Sequence, residues 1–371
     1  MRILFLVHSL RRGGAERVLL EVARGLSAKA HEVEILSWLD VDEYREETYR
    51  SLPRAFLIRS AEYQWPWSIP HAAEGLRRAV ERFRPDAVEL HTPNVAWVAA
   101  WAGVRTPCVH VLHGYGAITR HSSAKDLMVR TFDRLAQRHL QADFIVVTSP
   151  MADVAADHFS MSRDRFACVP NGVDLCRFRF QDTPWTQAPT ILMLGTLSPN
   201  KGQSLGLRAL PTVLRVLPGA RLLIVGEGVT RSDLESQVRV AGLADVVAFL
   251  GRRDDVPSLM AQASLLWQLS ESEGLPMVVL EAMACGVPVV GFDVRGTRTA
   301  VIHGETGYLV PYGDTRAVAE KTLHLLRDEA RYRQFAINGR QRMEQYFSID
   351  SMVSGHERVL CESAQRSQVH G

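Results

Sequence analysis

Two carboxylates, Glu273 and Glu281, sit with seven residues between them in an otherwise largely apolar run, Ser270 to Val290 (SESEGLPMVVLEAMACGVPVV). Pro276 suits the first turn of a helix, because its missing N–H would be unpaired there and its fixed φ is already helical. Glu273 then falls in the loop ahead of the helix and Glu281 inside it. The N–H groups of Met277 and Val278 would lack intrahelical partners and point outward at the positive end of the helix dipole, an arrangement that suits a diphosphate. Gly274 removes a side chain where such a ligand needs close approach. An acid ahead of a helix also favours the dipole with no ligand present, so Glu273 is open to a structural reading too. Glu281, on so apolar a helix, needs a hydrogen-bonding partner if it is buried. A ribose diol would supply two donors; a local backbone group or a solvent-facing stripe are the alternatives.

Two further loops carry anion-binding chemistry. His8-Ser-Leu-Arg-Arg-Gly-Gly-Ala-Glu16 follows the first apolar run and opens the first helical one, where backbone N–H groups meet phosphate in doubly wound folds. It fits neither G-x-G-x-x-G nor the P-loop pattern, and Gly-Gly is also an ordinary turn. Gly195-Thr-Leu-Ser-Pro-Asn-Lys-Gly202 occupies the equivalent place in the second half of the chain. Lys201 at a helix start works against the dipole unless an anion sits nearby, which favours phosphate binding.

The elements that must position these residues follow from hydrophobic periodicity. Strands are expected at 3–7, 32–37, 87–90, 108–112 and 144–148, with a helix over 16–28, an alternation that implies βαβ units and a parallel sheet. The segment from Pro170 to Pro189, rich in Asn, Gly, Asp, Pro and Gln, interrupts it. Strands at 190–194, 221–225 and 246–249 and helices at 201–217 and 233–241 then restart the scheme, and several helices follow over 315–364. The expected architecture is α/β, two doubly wound parallel-sheet domains facing a central cleft. Domain boundaries are expected at 1–175 and 186–350, with a helix and tail over 351–371 completing the first domain.

With 371 residues, 46% apolar and 23% charged, the chain has enough material for two cores, and a net charge of +2 gives no global argument for nucleic acid. The five cysteines show neither paired close spacing nor a metal-ligand pattern, which fits a reducing cytoplasm. The amino-terminal MRILFLV is too short for a signal segment, and nowhere do about 18 uncharged apolar residues run together.

In order along the chain, these features resemble the retaining nucleotide-sugar glycosyltransferases of family 4, which have the two-domain, Rossmann-like GT-B fold. The resemblance rests on Gly-Gly-Ala-Glu-Arg-Val (13–18), His113-Gly114, Val-Pro-Asn-Gly-Val-Asp (169–174), Gly195 to Gly202, Val-Gly-Glu-Gly (225–228), the Glu273/Glu281 pair with Ala-Met-Ala-Cys-Gly-Val-Pro-Val-Val after it, and Gly-Glu-Thr-Gly-Tyr-Leu-Val-Pro (304–311). It implies an enzyme that moves a sugar from a UDP- or GDP-sugar to a hydroxyl, with no metal and no cofactor beyond the donor. Glu281 would bind the ribose and Glu273 would lie beside the donor sugar at the reaction centre. Met277 and Val278 would offer N–H groups to the diphosphate, Lys201 would neutralise it, Gly274 and Leu275 would line the donor turn, and Gly14 would approach from the first domain. His113 would lie near the transferred sugar, its alternative being a structural histidine at a strand end. Arg252 and Arg253 fall where the family's base-binding loop lies; solvated side chains are equally consistent.

Two departures bear on the donor. Thr196 stands where many relatives have an arginine on the diphosphate, so one charge-assisted contact is absent unless Arg11, Arg12 or Arg298 substitutes. Asp293-Val-Arg-Gly-Thr-Arg-Thr299 replaces a commonly glycine-glycine and glutamate pattern. Competing readings are a nucleotide-sugar epimerase of the same fold, a binding subunit without turnover, and a metal-dependent transferase of another fold built on Asp40-Val-Asp42, whose alternative is a solvated acidic loop. Polysaccharide or glycolipid assembly is the expected context, with a carbohydrate or lipid-linked acceptor. Trp65 and Trp67, with Arg120, Lys125, Arg130, Arg134 and Arg138 at helical spacings, would allow peripheral contact with anionic lipid at the inner face of the membrane, or be core residues and a solvated face.

Overall fold

The computed structural model describes residues 1–44, 52–58, 68–118, 124–181 and 188–370. The chain divides into two compact units, Met1–Asn171 with Ile349–Gly371, and Gly172–Ser348. Trp65, Trp67 and Arg120 lie outside the described residues.

In the first unit, strands β1 (Arg2–Val7), β2 (Glu32–Leu39), β3 (Arg54–Ile58), β4 (Ala87–His91), β5 (Cys108–Leu112), β6 (Asp143–Val146) and β7 (Phe166–Cys168) form one sheet in the order β3-β2-β1-β4-β5-β6-β7. Every pairing is parallel. Helices cover both faces of such a sheet, and Ile3 to Val7 accordingly reads as an unbroken apolar run with each residue at most 1% exposed. The final helix, Ile349–His370, packs on the helix Gly14–Ala28 and over β4, β5 and β6. Close approach depends on two glycines: a Cβ on Gly25 would lie 2.4 Å from a Val353 methyl, and one on Gly355 2.6 Å from a Val169 methyl. Glu357 ties the edge of this contact, accepting from Lys29 Nζ at 2.5 Å and meeting His31 Nε2 at 2.8 Å.

The second unit repeats the winding. Its strands β8 (Thr190–Leu194), β9 (Arg221–Val225), β10 (Val247–Gly251), β11 (Leu265–Gln268), β12 (Val289–Phe292) and β13 (Gly307–Val310) run in the order β10-β9-β8-β11-β12-β13, again all parallel. Trp267 anchors its core and donates from Nε1 to Thr322 Oγ1 at 2.8 Å, so the one polar atom of that buried indole is matched. In both sheets the strand order reverses beside the first strand, between β1 and β4 and between β8 and β11. The loops at the carboxyl ends of those strands are where such folds hold ligands.

Strand expectations were met to within two residues where alternation or apolar runs were clear, and β5, β8 and β9 match residue for residue. Strands β3, β7 and β11 to β13 went unread. The first helix begins at Gly14 rather than Glu16. Lys201 closes a 3-10 turn, Pro199–Lys201, and the α-helix starts only at Gln203, after Gly202 at φ +74°. Pro276 is the residue preceding its helix, Met277–Ala284, with ψ of 115°, and not a member of the first turn.

Candidate active site

The second unit assembles most of the expected donor residues at its switch point. The loop after β8 is bonded to its neighbours: Gly195 and Leu197 donate N–H to Val225 O and Glu227 O at 2.9 Å, and Glu271 N–H reaches Asn200 O at 2.9 Å. Gly202 allows the closest approach, because a Cβ there would lie 1.9 Å from Leu269 O. This seam brings Lys201 to Glu273, Nζ to Oε1 at 2.7 Å, with the side chains 30% and 13% exposed. Gln268 Nε2 donates to the same Oε1 at 3.0 Å and to Ser270 Oγ at 3.0 Å.

The anion that Lys201 requires is therefore already present as Glu273. That removes the lysine's position as an independent sign of phosphate, while leaving its Nζ at the mouth of the donor turn. Gln268 was missed in the sequence; a buried polar residue closing the apolar strand Leu265-Leu266-Trp267 was the available signal.

Beyond the acid, Gly274, Leu275 and Pro276 turn into the helix. Its first engaged donor is Val279 N–H, to Pro276 O at 3.1 Å. Met277 and Val278 precede it, so the one-residue shift of the helix start still leaves their N–H groups without helical acceptors. Glu281 lies one turn on and is 3% exposed, which rules out the solvent-facing alternative. Burial, reinforced by the charge of Glu281, pushes the Cys285 thiol up to about 12, keeping it protonated and unreactive. Gly296 closes the floor: a Cβ there would meet Gly274 O at 2.3 Å and Glu273 O at 2.5 Å. The departure at 293–299 thus keeps a glycine where the backbone of the donor turn comes closest.

Other expected residues lie on the loops after β8 and β10. Arg252 is exposed on the loop after the edge strand β10, and Arg253 is held by Asp255 through two hydrogen bonds of 2.7 and 2.6 Å. Thr196 is exposed, and its backbone O accepts from Gln203 Nε2 at 3.1 Å. Among the residues that could replace the family arginine, Arg298 is bonded to Asp293 at 2.6 Å and Arg12 to Glu43 O at 3.2 Å.

In the first unit, Gly14 opens the helix after β1. The preceding Gly13 is clamped by Tyr44, whose Oη donates to Gly13 O at 2.8 Å and accepts from its N–H at 3.1 Å. The Asp40-Val-Asp42 segment supports this loop: Leu10 N–H donates to Val41 O at 2.9 Å, and Asp42 Oδ1 accepts from Tyr44 N–H at 3.0 Å. Glu16 folds back over Gly13, where burial raises its pKa.

His113, after β5, belongs to a chain of buried groups that sequence reading did not find. His91 Nδ1 lies 2.8 Å from His113 Nε2, His91 Nε2 lies 2.8 Å from Glu89 Oε1, and His356 Nδ1 reaches both Glu89 oxygens at 3.0 and 3.1 Å. Glu89, His91 and His356 are at most 1% exposed. Burial alone would raise the carboxyl pKa of Glu89, but His356 and His91 outweigh it and hold it at about 2. Burial lowers the pKa of His91, and lowers that of His113 well below the ordinary histidine value. His110 beside them falls to about 4, also through burial, and bonds Gln137 Nε2 at 2.6 Å.

The basic helix Ala124–Leu140 also differs from expectation. Arg130 and Arg134 are turned onto the end of the helix Ser149–Phe159, where Arg134 Nε donates to His158 O at 2.6 Å and Arg130 Nε at 3.4 Å. They cap carbonyls at the negative end of a dipole and form no free basic face. Arg138 is exposed. No helix among the described residues is long and apolar enough to cross a membrane.

Family comparisons agree with this geometry. Residues 12–177 match the family described as Glycosyltransferase Family 4 and residues 177–342 that described as Glycosyl transferases group 1. An N-acetyl-alpha-D-glucosaminyl L-malate synthase of Bacillus anthracis is 39% identical over 140 residues, which are 38% of this chain and 37% of that protein. A phosphatidyl-myo-inositol mannosyltransferase of Mycobacterium leprae is 28% identical over 90% of this chain and 89% of its own length. The crystal structure of Anabaena HepE in complex with UDP and glucose superposes with a TM-score of 0.84 at 22% identity, covering 98% of this chain and all of that one. Two successive family matches spanning 12–342, on two doubly wound sheets, lead to one conclusion: the chain belongs to glycosyltransferase family 4, enzymes that use nucleotide-sugar donors, and has their GT-B fold.

Proposed function

We propose that this enzyme transfers a hexose, with retention, from a UDP- or GDP-sugar to a hydroxyl acceptor and needs no metal to do so. The observation that carries the reading is the Lys201–Glu273 pair at 2.7 Å, set beside the outward N–H groups of Met277 and Val278. A leaving nucleoside diphosphate develops negative charge as the glycosidic bond breaks. Preorganised N–H donors and an ammonium group supply the opposing potential without reorganisation. Lys201 exchanges part of its contact with Glu273 for the phosphate, and Gln268 continues to orient the carboxylate. Glu281 accepts from the ribose hydroxyls. His113 is assigned to the hydroxyls of the transferred sugar. The acceptor hydroxyl attacks from the face the diphosphate leaves, with a phosphate oxygen taking its proton, so no protein nucleophile is required.

A lipid-linked or polysaccharide acceptor is the proposed context, in which unit 1 would be the acceptor-binding half. Leu127, Phe132 and Leu135 of the helix Ala124–Leu140 are 66, 52 and 57% exposed, and Trp101 of the neighbouring helix is 64% exposed. Trp97, one turn before Trp101, meets Phe132 at a ring separation of 6.5 Å, so these side chains form one apolar face, with Arg138 exposed on the same helix. Its proposed occupant is the surface of an anionic bilayer. The mannosyltransferase relative bears a phosphatidyl-inositol name, which accords with this.

A screen of nucleotide sugars by thermal shift, followed by transfer in excess chelator, tests the reading. The expected result is one stabilising donor, turnover insensitive to chelator and α-linked product from an α-linked donor. Chelator-sensitive turnover or an inverted product overturns it. Co-sedimentation with anionic vesicles, lost in Phe132→Asp and absent with neutral vesicles, is the matching outcome for the lipid face.

A further inference from the structure

Outside the donor site, the first unit holds the chain His113–His91–Glu89–His356. Its hydrogen atoms can be placed by elimination. An ionised carboxylate only accepts, so His91 donates from Nε2 to Glu89 and His356 donates from Nδ1. A neutral His91 then presents a bare Nδ1, and the 2.8 Å contact requires His113 to donate from Nε2. His113 Nδ1 is left as a bare acceptor, and it is buried with no hydrogen-bond partner. Three of the four members come from the sheet, on β4 and after β5. The fourth comes from the last helix, 267 residues after Glu89 in sequence.

We propose that Glu89, His91 and His356 are positioning residues that hold His113 in its Nε2–H tautomer, so that Nδ1 is offered as the acceptor for a hydroxyl of the transferred sugar. The inference rests on the reading that His113 meets that sugar. The geometry supports it in two ways. The order of contacts admits one polarity, running from the carboxylate outward. The unmatched Nδ1 is a desolvated acceptor, a deficit that a sugar hydroxyl removes. The returning C-terminal helix thereby becomes part of the reaction machinery through His356, since without it Glu89 would face a single partner.

Two measurements test this on the full chain. Long-range proton–nitrogen spectra of the histidines at pH 7 should show His113 protonated at Nε2 and bare at Nδ1; the opposite tautomer or an imidazolium overturns the proposal. Kinetics separate positioning from structure. His91→Asn keeps a group at the Nδ1 place facing His113, whereas His91→Gln keeps one at the Nε2 place facing Glu89. The expected result is that His91→Gln loses about 100-fold in kcat with donor KM unchanged, while His91→Asn stays within about tenfold of wild type. His356→Phe, which leaves His91 between Glu89 and His113, should lose up to about tenfold in kcat, with His356→Asn restoring it. Wild-type kcat in all four variants, with His113→Ala inactive, overturns the chain and leaves the assignment of His113 intact. Full turnover in His113→Ala instead overturns the assignment on which the chain rests.

Discussion

The two units share one winding and solve the same problem of placing a charge with opposite physics. In the second unit the charged pair Lys201 and Glu273, proposed above to act on the donor, sits at a loop seam and is partly exposed. In the first unit the corresponding carboxylate, Glu89, is withdrawn from water and held between His91 and His356. A partly exposed pair can exchange partners when a diphosphate arrives, because neither ion has given up all its water. A fully buried carboxylate has no such freedom; its value is to fix direction, since it can only accept. On the proposed reading, one switch point carries a charge that can change partners and the other a fixed polarity.

The largest expected effects separate function from stability. Lys201→Ala should lower turnover by about 10²–10³-fold through loss of stabilisation of the leaving group. Its melting temperature should stay at the wild-type value. Glu273→Gln and Glu281→Gln belong to the same class, with strong loss of turnover in folded protein; wild-type rates in both would remove the donor site from this helix. In the first unit, Glu89→Ala should instead destabilise by about 1–3 kcal/mol for each donor left unmatched, read in denaturant titration, because His91 and His356 stay buried without their acceptor. Equal stability losses for Lys201→Ala and Glu89→Ala would erase the contrast.

Acid should divide the units next. The folded state lowers the pKa of His91, His110 and His113 below the ordinary value of 6.5, that of His110 to about 4. In that window the unfolded chain binds more protons, so stability falls as pH drops from 6.5 towards 4 and is fully present above 6.5. Glu89, lowered from 4.5 to about 2, adds a further loss as pH falls from 4.5 towards 2. The buried histidines among the described residues, His91, His110, His158 and His356, all belong to the first unit. Hydrogen exchange at pH 7 and pH 4.5 should therefore show protection lost first in 1–171 and 349–370. Simultaneous loss in both units would contradict the assignment.

The smallest effect is expected at Gly296. Its added methyl in Gly296→Ala would press on the carbonyls of Gly274 and Glu273, an overpacking that costs about 1–3 kcal/mol and moves the donor turn. Donor KM should rise more than kcat falls. An unchanged KM would show that the turn tolerates the shift.

The site was unevenly legible from residues alone. Glu273, Pro276, Met277, Val278 and Glu281 lie close together along the chain, so local turn and helix geometry relates them, and the one-residue error at Pro276 left the N–H groups of Met277 and Val278 ahead of the helical acceptors, as expected. Lys201 was legible as an ion seeking a counter-ion, but its partner lies 72 positions away and local rules do not reach that far. His113 was read as a single residue at a strand end. Its partners His91, Glu89 and His356 went unread: Ala87 to Leu90 was expected as a buried strand, but no local pattern says that its acid meets a histidine of the last helix. The arginines of the helix Ala124–Leu140 were legible as a periodic basic stripe, and only packing showed Arg130 and Arg134 spent on the carbonyls of another helix.

By itself the sequence determined whatever depends on neighbours along the chain: alternating strands and helices, parallel winding, a donor turn with free N–H groups, and the motifs of family 4. The tertiary structure alone decided which charges are matched and which are buried. Ion pairing and desolvation depend on distance and on exclusion of water. A folded chain sets both by bringing Lys201 to Glu273 and the last helix to Glu89.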